Sequence, residues 1–289
     1  MDYQGDIIRP PSEANSIILQ VTTGCSHNHC TFCGAYREKS YGVKQWSTIQ
    51  HDLEFAARWC TRQKTMFLAD GDALALPHEL MVQLLTSIRQ MLPWVRRVAS
   101  YANCHNIEGK SDLQLCRYKE LGLSRIYMGL ESGHDSTLRK IGKGVDGAQM
   151  VTAGRRVRAA GMFLSVTCLL GIAGIEASLD HAQATAAVLN QMEPSQIAVL
   201  TLMILDNTPL FRELQARRFQ PLDQGQLFHE LRMMLSAIEL KRAQFQANHA
   251  SNYFSLSGRL PKDKEAMLAT IDSALNGTLN LKDESFRLL

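Results

Sequence analysis

The sequence has no long hydrophobic run. Its longest continuous candidate, Ile197 to Leu205, is broken by Thr201, well short of the roughly 18 apolar residues that a membrane-spanning helix needs. A membrane is therefore not expected as a partner. The opening stretch, MDYQGDIIRPPSEANS, lacks a basic region followed by an apolar one, so no secretion signal is read there and a cytoplasmic setting is expected. Charge of one sign is scarce too. Lys plus Arg is 31 against 28 Asp plus Glu, a formal net charge of +3, too little to make a polyanion the default partner, and nucleic acid is not expected. No internal repeat and no low-complexity segment is visible, which sets aside solenoid and collagen-like classes. With 289 residues, 45% of them hydrophobic and 20% charged, the chain can bury a sizeable core in one large domain or two small ones.

What is present is an alternation. Ser16 to Thr22 reads as a short strand ending in Gly24, with a cysteine cluster directly after it. Ile49, Leu53, Ala56 and Ala57 recur at helical spacing between Ser47 and Arg62, Thr65 to Ala69 reads as a buried strand, and Pro77 opens a helix running to Met91. Four further strand and helix pairs follow: Val95–Tyr101 with Asp112–Leu121, Arg125–Met128 with Gly147–Ala160, Met162–Leu170 with Leu179–Met192, and Gln196–Met203 with a later helical tract. Helices between consecutive strands demand right-handed parallel crossovers, so an α/β fold with a parallel sheet is expected, open or curled into a barrel. From Asp223 the pattern changes to a helical tract (Gln224–Leu240), a strand-like stretch near Ala250–Leu256 and a helix around Asp263–Leu275. The expected organisation is a leader (1–15), a core (16–215) and a C-terminal extension (216–289) covering the side or mouth of the sheet.

Seven cysteines is an odd number, and three of them, Cys25, Cys30 and Cys33, fall within nine residues. In a reducing compartment such clustering points to a metal site or catalysis rather than to disulfides. The loop Cys25-Ser26-His27-Asn28-His29-Cys30-Thr31-Phe32-Cys33 follows the first strand, where parallel α/β folds gather functional groups. Three thiolates can hold three irons of a [4Fe-4S] cluster, and a missing fourth leaves one iron open to another ligand. The same cysteines with His27 or His29 would make an ordinary structural zinc set, so a zinc-binding structural or interaction module is the alternative. Cys60 and Cys116 fall in helical tracts, Cys168 in an apolar strand, and Cys104 in a loop beside His105. This scattered set has no paired spacing, and a second cluster is not expected from it.

Three further segments sit at predicted strand ends. Asp70-Gly71-Asp72 offers a glycine at which backbone can approach a ligand and carboxylates that can pair with an ammonium, or simply a turn. Tyr127-Met128-Gly129-Leu130-Glu131-Ser132-Gly133 ends the fourth strand, with Arg139 and Lys143 close behind; a solvated helix cap is its plain alternative. Cys168-Leu169-Leu170-Gly171-Ile172-Ala173-Gly174-Ile175-Glu176 ends the fifth, where Gly171 and Gly174 serve equally a strand-to-helix turn or the close passage of backbone past a ligand.

Together these segments resemble the radical S-adenosylmethionine (SAM) superfamily over roughly Leu19 to Leu210. The cysteine loop is similar in placement and in the aromatic Phe32 before its third cysteine, although its C-x4-C-x2-C spacing is one residue longer than the commonest C-x3-C-x2-C form. The Glu131-Ser132-Gly133 segment resembles the subgroup of oxygen-independent coproporphyrinogen oxidases and the Elongator catalytic subunit. The resemblance implies a partial (β/α)6 parallel barrel with a C-terminal mostly helical extension. It also implies a [4Fe-4S] cluster on Cys25, Cys30 and Cys33, and SAM bound near Phe32, Asp70, Gly71, Asp72, Glu131, Ser132 and Gly171, with Arg139 or Lys143 facing its carboxylate. The activity implied is reductive cleavage of SAM to a 5′-deoxyadenosyl radical that takes hydrogen from a substrate, with an electron donor such as flavodoxin or ferredoxin. No cobalamin domain fits ahead of Ser16 and no TRAM-like β-domain is visible in the C-terminal tract, so a small-molecule substrate is expected. His181, His249 and the loop pair His27 and His29 are the histidines to watch. The polar cluster Asn248-His249-Ala250-Ser251-Asn252-Tyr253 would bring His249, Asn252 or Tyr253 to that substrate as candidate catalytic residues, or is a loop of satisfied turn residues.

Overall fold

The structure, a computed structural model, describes residues 1–288. Strands β1 (Ile17–Gln20), β2 (Thr22–Thr23) and β3 (Gly42–Val43) lead into helix α1 (Trp46–Trp59). An alternation follows: β4 (Thr65–Ala69), α2 (His78–Met91), β5 (Arg97–Tyr101), α3 (Cys104–Glu108) with α4 (Asp112–Glu120), and β6 (Leu123–Glu131). It continues through α5 (Asp135–Lys140) with α6 (Gly147–Ala159), β7 (Phe163–Leu170), α7 (Ser178–Met192) and β8 (Gln196–Thr201). The last part holds α8 (Pro209–Gln215), α9 (Gln224–Ala237), β9 (Ala243–Ala247), β10 (Leu256–Leu260) and α10 (Lys264–Leu275).

The reasons are local at first. Ile49, Leu53 and Ala56 share one face of α1, and Met81, Leu84, Leu85 and Ile88 share one face of α2; all are buried. Helix starts are marked by side chains that satisfy unpaired backbone donors. Ser111 with Gln114 and Asp223 with Gln226 form capping boxes at α4 and α9, and Asn103 accepts from the Asn106 amide at α3. Strands β4 and β7 are nearly continuous apolar runs, as a parallel sheet covered on both faces requires.

Eight strands form one α/β sheet in the order β1-β4-β5-β6-β7-β8-β9-β10. The pairs β1–β4, β4–β5, β5–β6, β7–β8 and β8–β9 are parallel, and β9–β10 is antiparallel. The short strands β2 and β3 pair with each other. The strand-like stretch expected at Ala250–Leu256 is instead mostly the connection between β9 and β10. The polar tips of Gln244 and Gln246 hid β9, yet burial alternates along it, with Ala243, Phe245 and Ala247 buried. Helices α3 and α5, of five and six residues, are too short to leave a periodic pattern and were not expected.

The chain divides into two units. The first holds Met1–Asn28, Ala35–Met128 and Arg156–Leu164; the second holds His29–Gly34, Gly129–Arg155 and the chain from Ser165 onward. In the first, Phe67, Ala69, Ala99 and Tyr127 form a buried cluster in which Phe67 meets Tyr101 edge-on with ring centroids 5.0 Å apart. In the second, Leu138, Ile141, Leu169, Ile172 and Leu210 form a buried cluster.

Candidate active site

In the first unit, Cys25 stands on the irregular segment after β2 and is half-buried. Two carboxylates from the end of β4 hold that segment. Asp70 is fully buried; its Oδ2 accepts from the Gly24 amide at 3.2 Å and lies 3.5 Å from the Lys39 Nζ. Burial pushes the Asp70 carboxyl up, with Lys39 and the Gly24 amide opposing. Asp72, also fully buried, accepts from the Ser26 hydroxyl at 2.7 Å and from the side-chain amides of Asn103 and Asn106. Burial raises its pKa to about 6 against these hydrogen bonds. Between the two carboxylates lies Gly71. A Cβ there would sit 2.7 Å from the Tyr36 ring and 3.1 Å from the Cys25 Cβ, so only glycine lets this backbone approach the cysteine.

The second unit, by itself, holds residues His29–Gly34 of the loop. Cys30 and Cys33 are half-buried. Thr31 between them donates its amide to the Ile141 carbonyl at 2.8 Å and accepts at its own carbonyl from Leu210 at 2.9 Å. Phe32 packs against the apolar cluster of Leu138, Ile141, Leu169, Ile172 and Leu210. The loop's second half is thus pinned by backbone bonds and by an aromatic anchor.

At the end of β6, Glu131 adopts φ +62, a left-handed conformation that costs a non-glycine residue energy. Its Oε1 lies 3.1 Å from the Lys143 Nζ. Ser132 is fully buried and shares a hydrogen bond of 2.7 Å with the His181 Nδ1. Gly171 begins the turn after β7 with φ +80 and donates its amide to Glu230 at 2.7 Å. A cavity of about 400 Å³ is bordered by Gly171, the segment Leu202–Leu205, Tyr253 and Arg287.

The three C-terminal candidates have separate placements. Asn252 is buried, accepting from the Thr201 hydroxyl and donating to the Val199 carbonyl, both at 2.8 Å, so it fastens its segment to β8. His249 pairs through Nδ1 with Ser251, and burial, then Lys282, pulls its pKa down. Tyr253 borders the cavity and bonds to Glu284 and Arg287; burial, then Glu284, pushes its hydroxyl up to about 12. Sequence reasoning missed Ser26, Asn103, Asn106 and Glu230. Asn103 had a local signal, as an asparagine at a helix start directly after a strand. Glu230 had none beyond a charged residue in an otherwise apolar stripe.

Cys25, Cys30 and Cys33 are three half-buried thiols on one loop, and three thiolates are the donor set that holds three irons of a [4Fe-4S] cluster.

Comparison with known proteins agrees. Residues 19–184 match the Radical SAM superfamily, more than half of the chain. The chain belongs to the radical SAM superfamily. Among curated relatives, 4'-phospho-dehydrooxetanocin synthase of Priestia megaterium is 24% identical over 64% of this chain and 28% of its own length. Heme chaperone HemW of Bacillus subtilis is 23% identical over 61% of this chain and 46% of its own. The radical SAM chain described here thus spans less than half the length of either. Among solved structures, the methyltransferase TsrM from Kitasatospora setae, with cobalamin and a [4Fe-4S] cluster bound, aligns with TM-score 0.57 at 15% identity, covering 70% of this chain and 39% of that one. Coproporphyrinogen III oxidase HemN from Escherichia coli aligns with TM-score 0.55 at 14% identity over 76% and 51%. Elp3 of Methanocaldococcus infernus aligns with 0.50 at 11% over 80% and 57%. The last two are the coproporphyrinogen oxidase and Elongator types that the Glu131-Ser132-Gly133 segment resembles.

Proposed function

We propose that this chain is a radical SAM enzyme whose cluster is held by Cys25, Cys30 and Cys33 and whose substrate is a small molecule. The observation that carries the reading is the three-cysteine loop itself, placed after the first strand of a mostly parallel sheet and inside the residues that match the superfamily. A [4Fe-4S] cluster held by these cysteines would, with SAM and one electron, supply a 5′-deoxyadenosyl radical able to take hydrogen from a substrate.

The chain's own residues do the holding. Asp70 holds the Gly24 amide and Asp72 the Ser26 hydroxyl on either side of Cys25, and the Thr31 amide and carbonyl fix the backbone between Cys30 and Cys33. Phe32 sets an apolar wall that excludes water from one side of the loop. Glu131 offers a carboxylate whose nearest cation is Lys143, a pair able to meet the ammonium and carboxylate of an amino acid respectively. Gly171, at φ +80, turns the chain at the end of β7, and a Cβ there would meet Leu227 at 3.1 Å. A cavity of about 400 Å³ beside that corner supports a small-molecule substrate.

The test is anaerobic purification and cluster reconstitution, with iron and sulfide counted, then incubation with SAM and dithionite or a reduced flavodoxin and an assay for 5′-deoxyadenosine. Iron and sulfide near four each per chain and 5′-deoxyadenosine that disappears in Cys30→Ala are expected. Stoichiometric zinc without sulfide or product would overturn the reading.

A further inference from the structure

Helix α9 lies beyond the residues that match the superfamily, yet it sends one carboxyl into the interior of the second unit. Glu230 is fully buried among Leu227, Phe228, Leu231, Met234 and Leu235 of its own helix. A carboxyl on an apolar face is costly unless its oxygens are occupied. Both oxygens have partners. Oε1 accepts from the Gly171 amide at 2.7 Å, and Oε2 accepts from the Ser178 hydroxyl at the start of α7. The Gly171 amide has left the sheet ladder at a left-handed corner, so Glu230 is the group that satisfies it.

The contacts extend to a second strand end. His181 Nε2 stands 3.5 Å from the Glu230 Oε1, and its Nδ1 meets the Ser132 hydroxyl at 2.7 Å and Thr185 Oγ1 at 3.3 Å. Burial lowers the His181 pKa to about 3, so the imidazole is neutral near pH 7 and does not form an ion pair with the carboxyl. Ser132 also accepts from the His134 amide at 3.0 Å; in the tautomer in which its hydroxyl donates to Nδ1, the imidazole proton sits on Nε2, on the Glu230 side. One buried line of polar groups thus connects α9 to the ends of both β6 and β7.

We infer that Glu230, acting with His181, is a positioning residue that fixes the Gly171 corner and the Ser132 hydroxyl in the geometry SAM requires. The inference rests on the radical SAM reading for its ligand, and for the positioning on the hydrogen bonds of Glu230 to Gly171 and Ser178, those of His181 to Ser132, and the 3.5 Å approach of His181 Nε2 to Glu230. It makes a helix outside the matched region part of what shapes the nucleotide site.

Three variants of the anaerobically reconstituted protein test it: Glu230→Ala, Glu230→Gln, and Leu235→Ala as a core defect on the same helix away from these bonds. Backbone hydrogen exchange is followed over residues 129–134 and 168–174, and SAM binding by equilibrium dialysis. Glu230→Ala should speed exchange in both segments and weaken SAM binding roughly tenfold, since a buried amide loses its partner. Glu230→Gln keeps an acceptor for Gly171 and a donor for Ser178, and should restore most of both. Leu235→Ala should lower thermal stability while leaving these segments and the SAM affinity near wild type. Unchanged exchange in Glu230→Ala, or equal effects of Glu230→Ala and Leu235→Ala, would overturn the inference. If the wild type binds no SAM, the enzyme reading fails while the exchange arm still decides the positioning.

Discussion

Asp72 gathers three side chains that are distant in sequence: Ser26 next to the first cysteine, and Asn103 and Asn106 at the start of α3. The sequence marks Asp72 as a group able to meet an ammonium, but its oxygens serve neighbours of the cysteine loop. Asp72→Ala is therefore expected to destabilise the fold by about 1–3 kcal/mol, the cost of partners left unsatisfied, reduced where Ser26 is reached by water. It should also loosen the backbone beside Cys25, so that iron per chain after desalting falls relative to wild type. Urea unfolding and iron analysis check the two effects; unchanged values in both would show that Asp72 holds nothing. The cysteines, Phe32 and the strand-end acids stand out as candidates in the sequence because they lie in short contiguous segments. Asn103 and Asn106 do not, since their meeting with Asp72, 31 and 34 residues away, exists only once β4 and β5 lie side by side.

The elements that were legible have strong periodicity or a clean apolar run. Thr65 to Ala69 was read as β4 with its observed bounds, and α2 and α7 differ from expectation by one residue at the start. The C-terminal strands failed that test because β9 alternates apolar residues with glutamines in only five positions. Between α7 and α9 a buried acid and a buried imidazole give opposite pH dependences. His181 titrates near 3 in the fold against an ordinary 6.5, with burial and then His134 as causes; its contribution is complete above about pH 6.5 and is lost as pH falls toward 3. Glu230 titrates near 7 against an ordinary 4.5, raised by burial; its contribution is complete below about pH 4.5 and is lost as pH rises through 7. His181→Gln should therefore flatten the acid side of the stability profile, and Glu230→Gln the side between pH 4.5 and 7. Urea unfolding at half-unit pH steps from 4 to 8 reads both slopes, and parallel profiles for wild type and variants would refute the assignment.

At the scale of the whole chain, the α/β class was readable from alternation, while what ties the far C-terminal residues back was not. Arg287 is 7% exposed, although arginines ordinarily sit in water. Its Nε donates to the Ser251 carbonyl at 2.7 Å, an Nη donates to the Tyr253 hydroxyl at 2.8 Å, and the guanidinium lies 4.3 Å from the Tyr253 ring centroid. Glu284 completes the set. The contacts to Ser251 and Tyr253 span 36 and 34 residues, so no local pattern announces them. Tyr253 and Arg287 both border the cavity beside Gly171, which joins the stability of this segment to the shape of the proposed substrate site. Arg287→Ala leaves the Ser251 carbonyl and Tyr253 hydroxyl without a donor and should cost about 2 kcal/mol, lowering Tm by roughly 4–8 °C. Arg287→Lys keeps the charge but not the planar fork, and should recover only part of that loss. Thermal unfolding of the two variants beside wild type decides the matter: full recovery by lysine would mean that charge alone holds the segment, and no shift in either would mean that the guanidinium contacts do not contribute to it.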